Sequence, residues 1–183
     1  WASLGTASLN ALSAAQWRAM ANEDLNALTS AQWSSMATDD LVGLVAFQWQ
    51  SVSSANLNYI QPAQWAGMAT DDLRSLSTTQ WSQIETQDVN ALGASQWVRM
   101  DTNDLAGLGT NQWSNLTTLA LQSFTASQWV GFETADINAM GSSQWSAIPS
   151  RSLSALNATQ WQNAESADLA ALSATQWSAM ATD

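Results

Sequence analysis

The sequence predicts an all-α solenoid of 16-residue coils, with two very short helices in each coil. Three observations predict it. Tryptophan occurs 12 times, at 1, 17, 33, 49, 65, 81, 97, 113, 129, 145, 161 and 177, in a constant step of sixteen. A fixed period marks a repeat array and has to be recognised before any single residue is interpreted. Counted from each Trp, apolar residues fall at unit positions 1, 4, 9 and 12, so the spacing alternates between three and five. A strand needs spacings of two, whereas residues three apart share a helix face. Finally, Ala, Leu, Ser, Gln and Met dominate while Val and Ile are sparse, a helix-favouring mixture. The alternative architecture is a β-solenoid of 16-residue coils, which the short period and the Thr columns would suit. Residues 1–183 form a single array of 11 complete units and a partial unit at 177–183.

The first helix of each unit is expected over positions 7–12. Position 6 is Thr in eight units, otherwise Ser54, Ser150, Ser166 or Asn22, and all can cap a helix N-terminus. Position 8 is Asp in seven units, placing a carboxylate in the first turn, where the helix dipole favours it.

The second helix is expected from position 14 to position 4 of the next unit. Ser13, Thr29, Ser77, Thr125 and Ser173 each precede a Gln by three residues, the spacing of a capping box. Leu at position 12 and the following Trp then form a hydrophobic staple. Pro62 falls at the first helical position, where its missing N–H is harmless. Isolated helices of such length are marginal in water, so they must be held by stacking unit on unit.

Position 16 is Gln in every complete unit: Gln16, Gln32, Gln48, Gln64, Gln80, Gln96, Gln112, Gln128, Gln144, Gln160 and Gln176. A capping box explains it in five units only. Elsewhere the preceding residue is Val45, Gln61, Gly93, Gly109, Gly141 or Asn157, and Gln persists. The column is therefore expected to form a structural ladder between coils, side-chain amide to the next coil's amide or backbone. Trp17, Trp33, Trp49, Trp65, Trp81, Trp97, Trp113, Trp129, Trp145 and Trp161 run in phase with Leu and Met and are expected in the core, each indole N–H finding a partner at its edge.

The unit is also a doublet of eight: Leu-Ser-x-x-Gln-Trp mirrors Met-Ala-Thr-x-Asp-Leu. Leu12-Ser13-Ala14-Ala15-Gln16, Leu76-Ser77-Thr78-Thr79-Gln80 and Leu172-Ser173-Ala174-Thr175-Gln176 resemble the octad arrays, Leu-Ser/Thr-x-x-Gln, of large repetitive bacterial proteins that are exported or surface-bound. The resemblance covers the whole chain and implies an extracellular or cell-surface address, not an activity. Trp after the Gln departs from the aliphatic residue of those arrays.

Composition narrows the function. The chain has no Cys, His or Lys; Arg18, Arg74, Arg99 and Arg151 stand against 15 acids, for a net charge of −11. Four scattered Arg make no phosphate-binding face, so no nucleic-acid partner is expected. No apolar run approaches a membrane span, and no membrane insertion is expected. A Cys or His nucleophile–base pair is impossible, and carboxylates repeated along an array do not converge in a pocket, so no enzyme and no cofactor are expected. Asp39-Asp40 and Asp71-Asp72 are the best calcium candidates, but each unit offers one or two carboxylates where calcium takes six to eight oxygens.

Irregularities concentrate in the unit Trp49–Gln64, with Tyr59, Pro62 and the preceding Phe47, and at Leu119 and Ala120, where an acid is missing. Trp1 and Met180 fit their columns, which leads to the expectation of end-to-end self-stacking or a longer array. The function expected is that of a structural protein forming a rod or filament. The alternatives are a spacer in a large adhesin and an ice-binding solenoid carrying a Thr face.

Overall fold

The computed structural model describes residues 1–180, and among these the regular secondary structure is helical, with no strand. The β-solenoid alternative is therefore not supported. The chain forms two compact units, Trp1–Leu92 and Gly93–Asp183, although the sequence period runs through the division unbroken.

In the first unit, helices that begin near position 6 are α1 Thr6–Leu9, α3 Asn22–Asn26, α5 Thr38–Val42, α7 Ser54–Leu57, α9 Thr70–Leu73 and α11 Thr86–Val89. They alternate with helices carrying the Gln-Trp pair: α2 Ala14–Ala19, α4 Ser30–Ser35, α6 Ala46–Ser51, α8 Pro62–Gly67 and α10 Thr78–Gln83. The second unit repeats the alternation. Its Gln-Trp helices are α12 Ala94–Trp97, α14 Thr110–Ser114, α16 Ala126–Gly131, α18 Ser142–Ala147, α20 Ala158–Asn163 and α22 Ala174–Met180. Between them lie α13 Thr102–Ala106, α15 Thr118–Ser123, α17 Thr134–Ala139, α19 Ser150–Leu153 and α21 Ser166–Ala170. There are thus two short helices per sequence repeat.

The coil, however, is longer than the sequence repeat. In both units each helix packs on the third helix along: α1 on α4, α2 on α5 and α3 on α6, then α14 on α17, α15 on α18 and α19 on α22. Three helices of one octad each make a turn, so the coil is three octads, half as long again as the repeat. The expectation of 16-residue coils took the sequence period for the structural one. Two helices this short enclose no space between them for an indole; three do.

Because three is odd, every Gln-Trp helix lies on an Asp-type helix. Trp17 and Trp33 thus have Leu41 and Leu57 in the corresponding place one coil on. Large side chains alternate with small ones along each stack, the arrangement that fills a core without overpacking. Trp17, Trp33, Trp49 and Trp65 are 0% exposed, as are Trp97, Trp113, Trp129 and Trp145. Trp65 and Trp81 lie with ring centroids 6.5 Å apart. In the second unit Phe124 joins Trp97, Trp113, Trp129 and Phe132 with centroids 5.0–6.0 Å apart.

Helix ends follow the octad frame. Ser13, Thr29, Ser77 and Thr125 are N-caps with complete capping boxes. Asn157 is one as well, its side chain accepting from Gln160 N–H at 3.0 Å. In the other helix the cap lies at unit position 5, as at Ala37, Ala69, Asp101 and Glu133. Position 6 is the first helical residue, not the N-cap. The reason is octad equivalence: position 5 stands to Asp at 8 as position 13 stands to Gln at 16. Two consecutive extended residues, such as Met20 and Ala21, turn the corner between helices without any positive φ.

Candidate functional site

The polar side chains that recur inside the fold form ladders between coils. The Gln ladder is built from the third helical residue, whose side chain reaches both backward and down. Backward, its Oε1 accepts the N–H of its own N-cap. This holds at Ser13, Thr29 and Ser77 (2.8, 2.7 and 2.8 Å), and equally at Val45, Gln61, Gly109 and Gly141 (3.0, 2.6, 2.6 and 2.9 Å). The identity of the cap side chain is irrelevant to that bond, because the donor is backbone.

Downward, the Nε2 group donates to two carbonyls at a corner of the coil beneath. Gln48 donates to Trp17 O and Met20 O (2.9 and 2.8 Å), Gln64 to Trp33 O and Met36 O (3.0 and 2.7 Å), and Gln80 to Trp49 O and Val52 O (both 2.8 Å). Gln32 reaches Trp1 O and Leu4 O. In the second unit Gln128, Gln144, Gln160 and Gln176 do the same to Trp97 and Met100, Trp113 and Leu116, Trp129 and Phe132, and Trp145 and Ile148. Gln96 is buried with its Oε1 on Gly93 N–H, Gln112 is buried likewise, and Gln16, in the first coil, is exposed and accepts from Ser13 N–H. Of the two carbonyls, that of the C-cap residue, such as Met20 O, has no partner within the helix, whereas Trp17 O also accepts Met20 N–H; one amide thus bonds three main-chain groups in two coils.

A second ladder, at position 10, escaped the sequence reading. Asn26 Nδ2 donates to Ser51 O at 2.9 Å, and its Oδ1 accepts from Ser53 N–H at 2.9 Å. Asn58 repeats this with Gln83 O and Glu85 N–H, and Asn10 donates to Ser35 O. The signal was present: Asn10, Asn26, Asn58, Asn90 and Asn138 share one column.

The Asp column occupies the slot equivalent to Gln. Asp40, Asp88, Asp104, Asp136 and Asp168 are buried, not on a solvated edge. Asp40 Oδ2 accepts from Ala37 N–H at 3.2 Å, and its Oδ1 accepts the Trp17 indole N–H at 3.0 Å. Asp168 Oδ1 accepts the Ser142 hydroxyl at 3.0 Å. Burial pushes the Asp72, Asp88 and Asp136 carboxyls up to about 6, helped by the neighbouring charges of Asp71, Glu85 and Glu133 in turn; at Asp136 the hydrogen bond from Glu133 N–H acts in the opposite sense.

The calcium candidates are not brought together. Asp40 is buried with both oxygens engaged, whereas Asp39, Asp71 and Asp72 are not buried. Neighbours on a helix point to different faces. Among the described residues, no three potential metal ligands converge.

The core tryptophans also differ from expectation. Trp17 has its acceptor in Asp40, but the indole N–H groups of Trp33, Trp49, Trp97, Trp113, Trp129 and Trp145 are buried without one. The corner carbonyls at the core edge are already taken by the Gln amides. As for a Thr face, the three-octad coil distributes position 6 successively over all three helix stacks, since α1, α3 and α5 belong to different stacks.

A depression of about 580 Å³ beside Leu119 is lined by Ser114, Asn115, Thr117, Thr118 and Gln144 among others, and its lining holds no titratable group. Among the described residues, no helix is long and apolar enough to cross a membrane. No family model, no curated protein and no solved structure matches the chain.

Proposed function

We propose that this chain is a non-enzymatic structural protein that builds a rod or filament by coil stacking. The observation that carries this reading is the Gln ladder. Each Gln bonds its own cap and the coil beneath, so the rule for adding a coil refers only to the previous coil and contains no stop. Contacts restricted to neighbours are how solenoids extend. The Gln and Asn columns are spent on main-chain groups.

An extracellular or surface address is part of the proposal and rests on the octad resemblance. The second copy expected as partner would continue the same ladder. The acidic surface, net charge −11, would oppose lateral clumping.

Electron microscopy and light scattering on the purified chain test the reading. Filaments, with an axial repeat of about 8–10 Å per coil from helix-on-helix stacking, are the expected result. Discrete particles that never join over a wide concentration range would refute self-assembly and leave the spacer reading.

A further inference from the structure

The Gln slot and the Asp slot are the same place in successive octads, and both face the coil beneath: carbonyls meet the Gln side chains there, a carbonyl and an amide oxygen meet Asn56, and the Trp17 indole N–H meets Asp40. In the Gln slot the occupant donates to two carbonyls beneath, as Gln144 does to Trp113 O and Leu116 O. Asn56 shows what a shorter side chain does in the Asp slot. Its Nδ2 donates to Asn26 O at 3.3 Å and to Asn26 Oδ1 at 3.2 Å, in the coil beneath. An occupant of Asp's length therefore reaches that coil if it carries a hydrogen.

Four of the buried aspartates fall into two sets. Asp40 and Asp168 each receive a hydrogen from a side chain of another helix, the Trp17 indole and the Ser142 hydroxyl. Asp136, 8% exposed, receives only a long bond, 3.3 Å, from its own cap Glu133 N–H. Asp88, 1% exposed, has an Oδ1 that is buried without a partner, because the Glu85 N–H it would accept is held by Asn58 Oδ1. Among the described residues, no cation lies on the helices packed against the Asp136 helix. The helices packed on α17, α14 and α20, carry no charged side chain, and α17 itself adds only its cap Glu133. Around Asp88 the pattern is the same: α8, packed on α11, carries no charge, and α11 adds only its cap Glu85. In the register of Asn56, the carbonyl beneath Asp136 is that of Ala106, the last residue of α13; Asp101 and Asp104 lie at the other end of that helix.

We propose that Asp136, and Asp88 in the other unit, form a protonation switch in the stack. With its proton, the carboxyl donates to the coil beneath as Asn56 does; without it, that bond is lost, a buried charge is left with too few donors, and the coils loosen. The direction with pH follows from burial, which holds the Asp136 carboxyl protonated up to about 6 in the fold, against 3.8 in the unfolded chain. Between those values the folded state binds more protons, so this contribution to stability is fully present below about pH 4 and is lost as pH rises through 6. This contribution to the stack is strongest in acid.

The test is urea unfolding of the full chain and of Asp136→Asn at pH 4 and pH 7.5, read by tryptophan fluorescence. Asn keeps the shape and always carries a hydrogen. The expected result is an unfolding constant about a hundredfold smaller than the parent's at pH 7.5 and within a few-fold of it at pH 4. Asp40→Asn, which disturbs a carboxylate already supplied with donors, should weaken the chain at pH 7.5. A variant Asp136→Asn that is weaker than the parent at pH 7.5, or equally displaced at both pH values, overturns the proposal. Carbon-13 titration of the Asp136 carboxyl in the unmodified chain gives a second reading. A midpoint near 6 is expected, and one at or below 4 overturns it.

Discussion

Replacing Gln48 by Leu isolates the ladder from the capping box, because its cap is Val45, which has no side-chain acceptor. Gln48 is 0% exposed and makes three bonds, accepting from Val45 N–H at 3.0 Å and donating to Trp17 O at 2.9 Å and Met20 O at 2.8 Å. Leucine fills most of the volume and makes none of them. Trp17 O keeps a bond from Met20 N–H at 3.1 Å, so the groups left orphaned are Val45 N–H and Met20 O. At about 1–3 kcal/mol for each buried group left unsatisfied, the loss should be about 2–6 kcal/mol. Gln80→Leu should fall in the same range, although its cap is Ser77 and its box is complete. Ser77→Ala should cost only about 1 kcal/mol, the usual worth of a cap. Urea unfolding at pH 7, followed by fluorescence, measures all three. A Gln48→Leu chain within about 0.5 kcal/mol of the parent, the scale of an ordinary surface change, would refute the reasoning. So would a loss seen at Gln80 alone, since that would return the column to simple capping.

Other substitutions probe the remaining columns. Trp17→Phe removes the donor to Asp40 whereas Trp33→Phe removes an indole N–H with no acceptor; the first should cost about 1.5–3 kcal/mol more, the worth of a hydrogen bond to a charged group, measured by the difference in unfolding free energy. Asn26→Ala takes a donor from Ser51 O and an acceptor from Ser53 N–H, so hydrogen exchange at the Ser53 amide should accelerate while exchange at distant helices of the same unit changes little. A Cβ on Gly67 would lie 2.5 Å from Thr38 Cγ2; Gly67→Ala should cost about 1–3 kcal/mol by overpacking, and Thr38→Ser should recover much of it in a double-mutant cycle.

What the sequence made legible was local. The three-and-five apolar spacing and the Ser13-to-Gln16 box define helices one to two turns long with one inward face, and the structure has them. Persistence of Gln behind Val45 and Gly109 pointed beyond a side-chain cap; part of the reason is local, since Oε1 accepts the cap N–H whatever the cap, and the rest is the pair of bonds to the coil beneath. What stayed hidden depends on how one helix is set against the next. Spacing along the chain fixes which face of α2 is apolar, but not how many helices complete a turn, and a two-octad period made two the obvious number. The N-cap was misplaced by one residue because Thr38 is a better capping residue than Ala37, and residue type was weighed above the frame shared with Ser13. Burial of Asp136 was missed for a related reason. An acid in a first helical turn is ordinarily solvated, and only its equivalence to Gln144 reveals the inward slot.

The mismatch between a two-octad sequence period and a three-octad coil governs how such a gene can change length. Insert or delete a pair of octads, and every helix still finds a partner of the opposite kind three places away. Insert or delete a single octad, and parity fails across the join: Gln-Trp helices meet their own kind, indole over indole on one stack and Leu over Leu on another. Duplication by unequal recombination should therefore be tolerated in whole paired octads and rejected in halves. Each tolerated step advances the chain by two thirds of a turn. The 12 tryptophans in unbroken step are the pattern such a filter would leave behind.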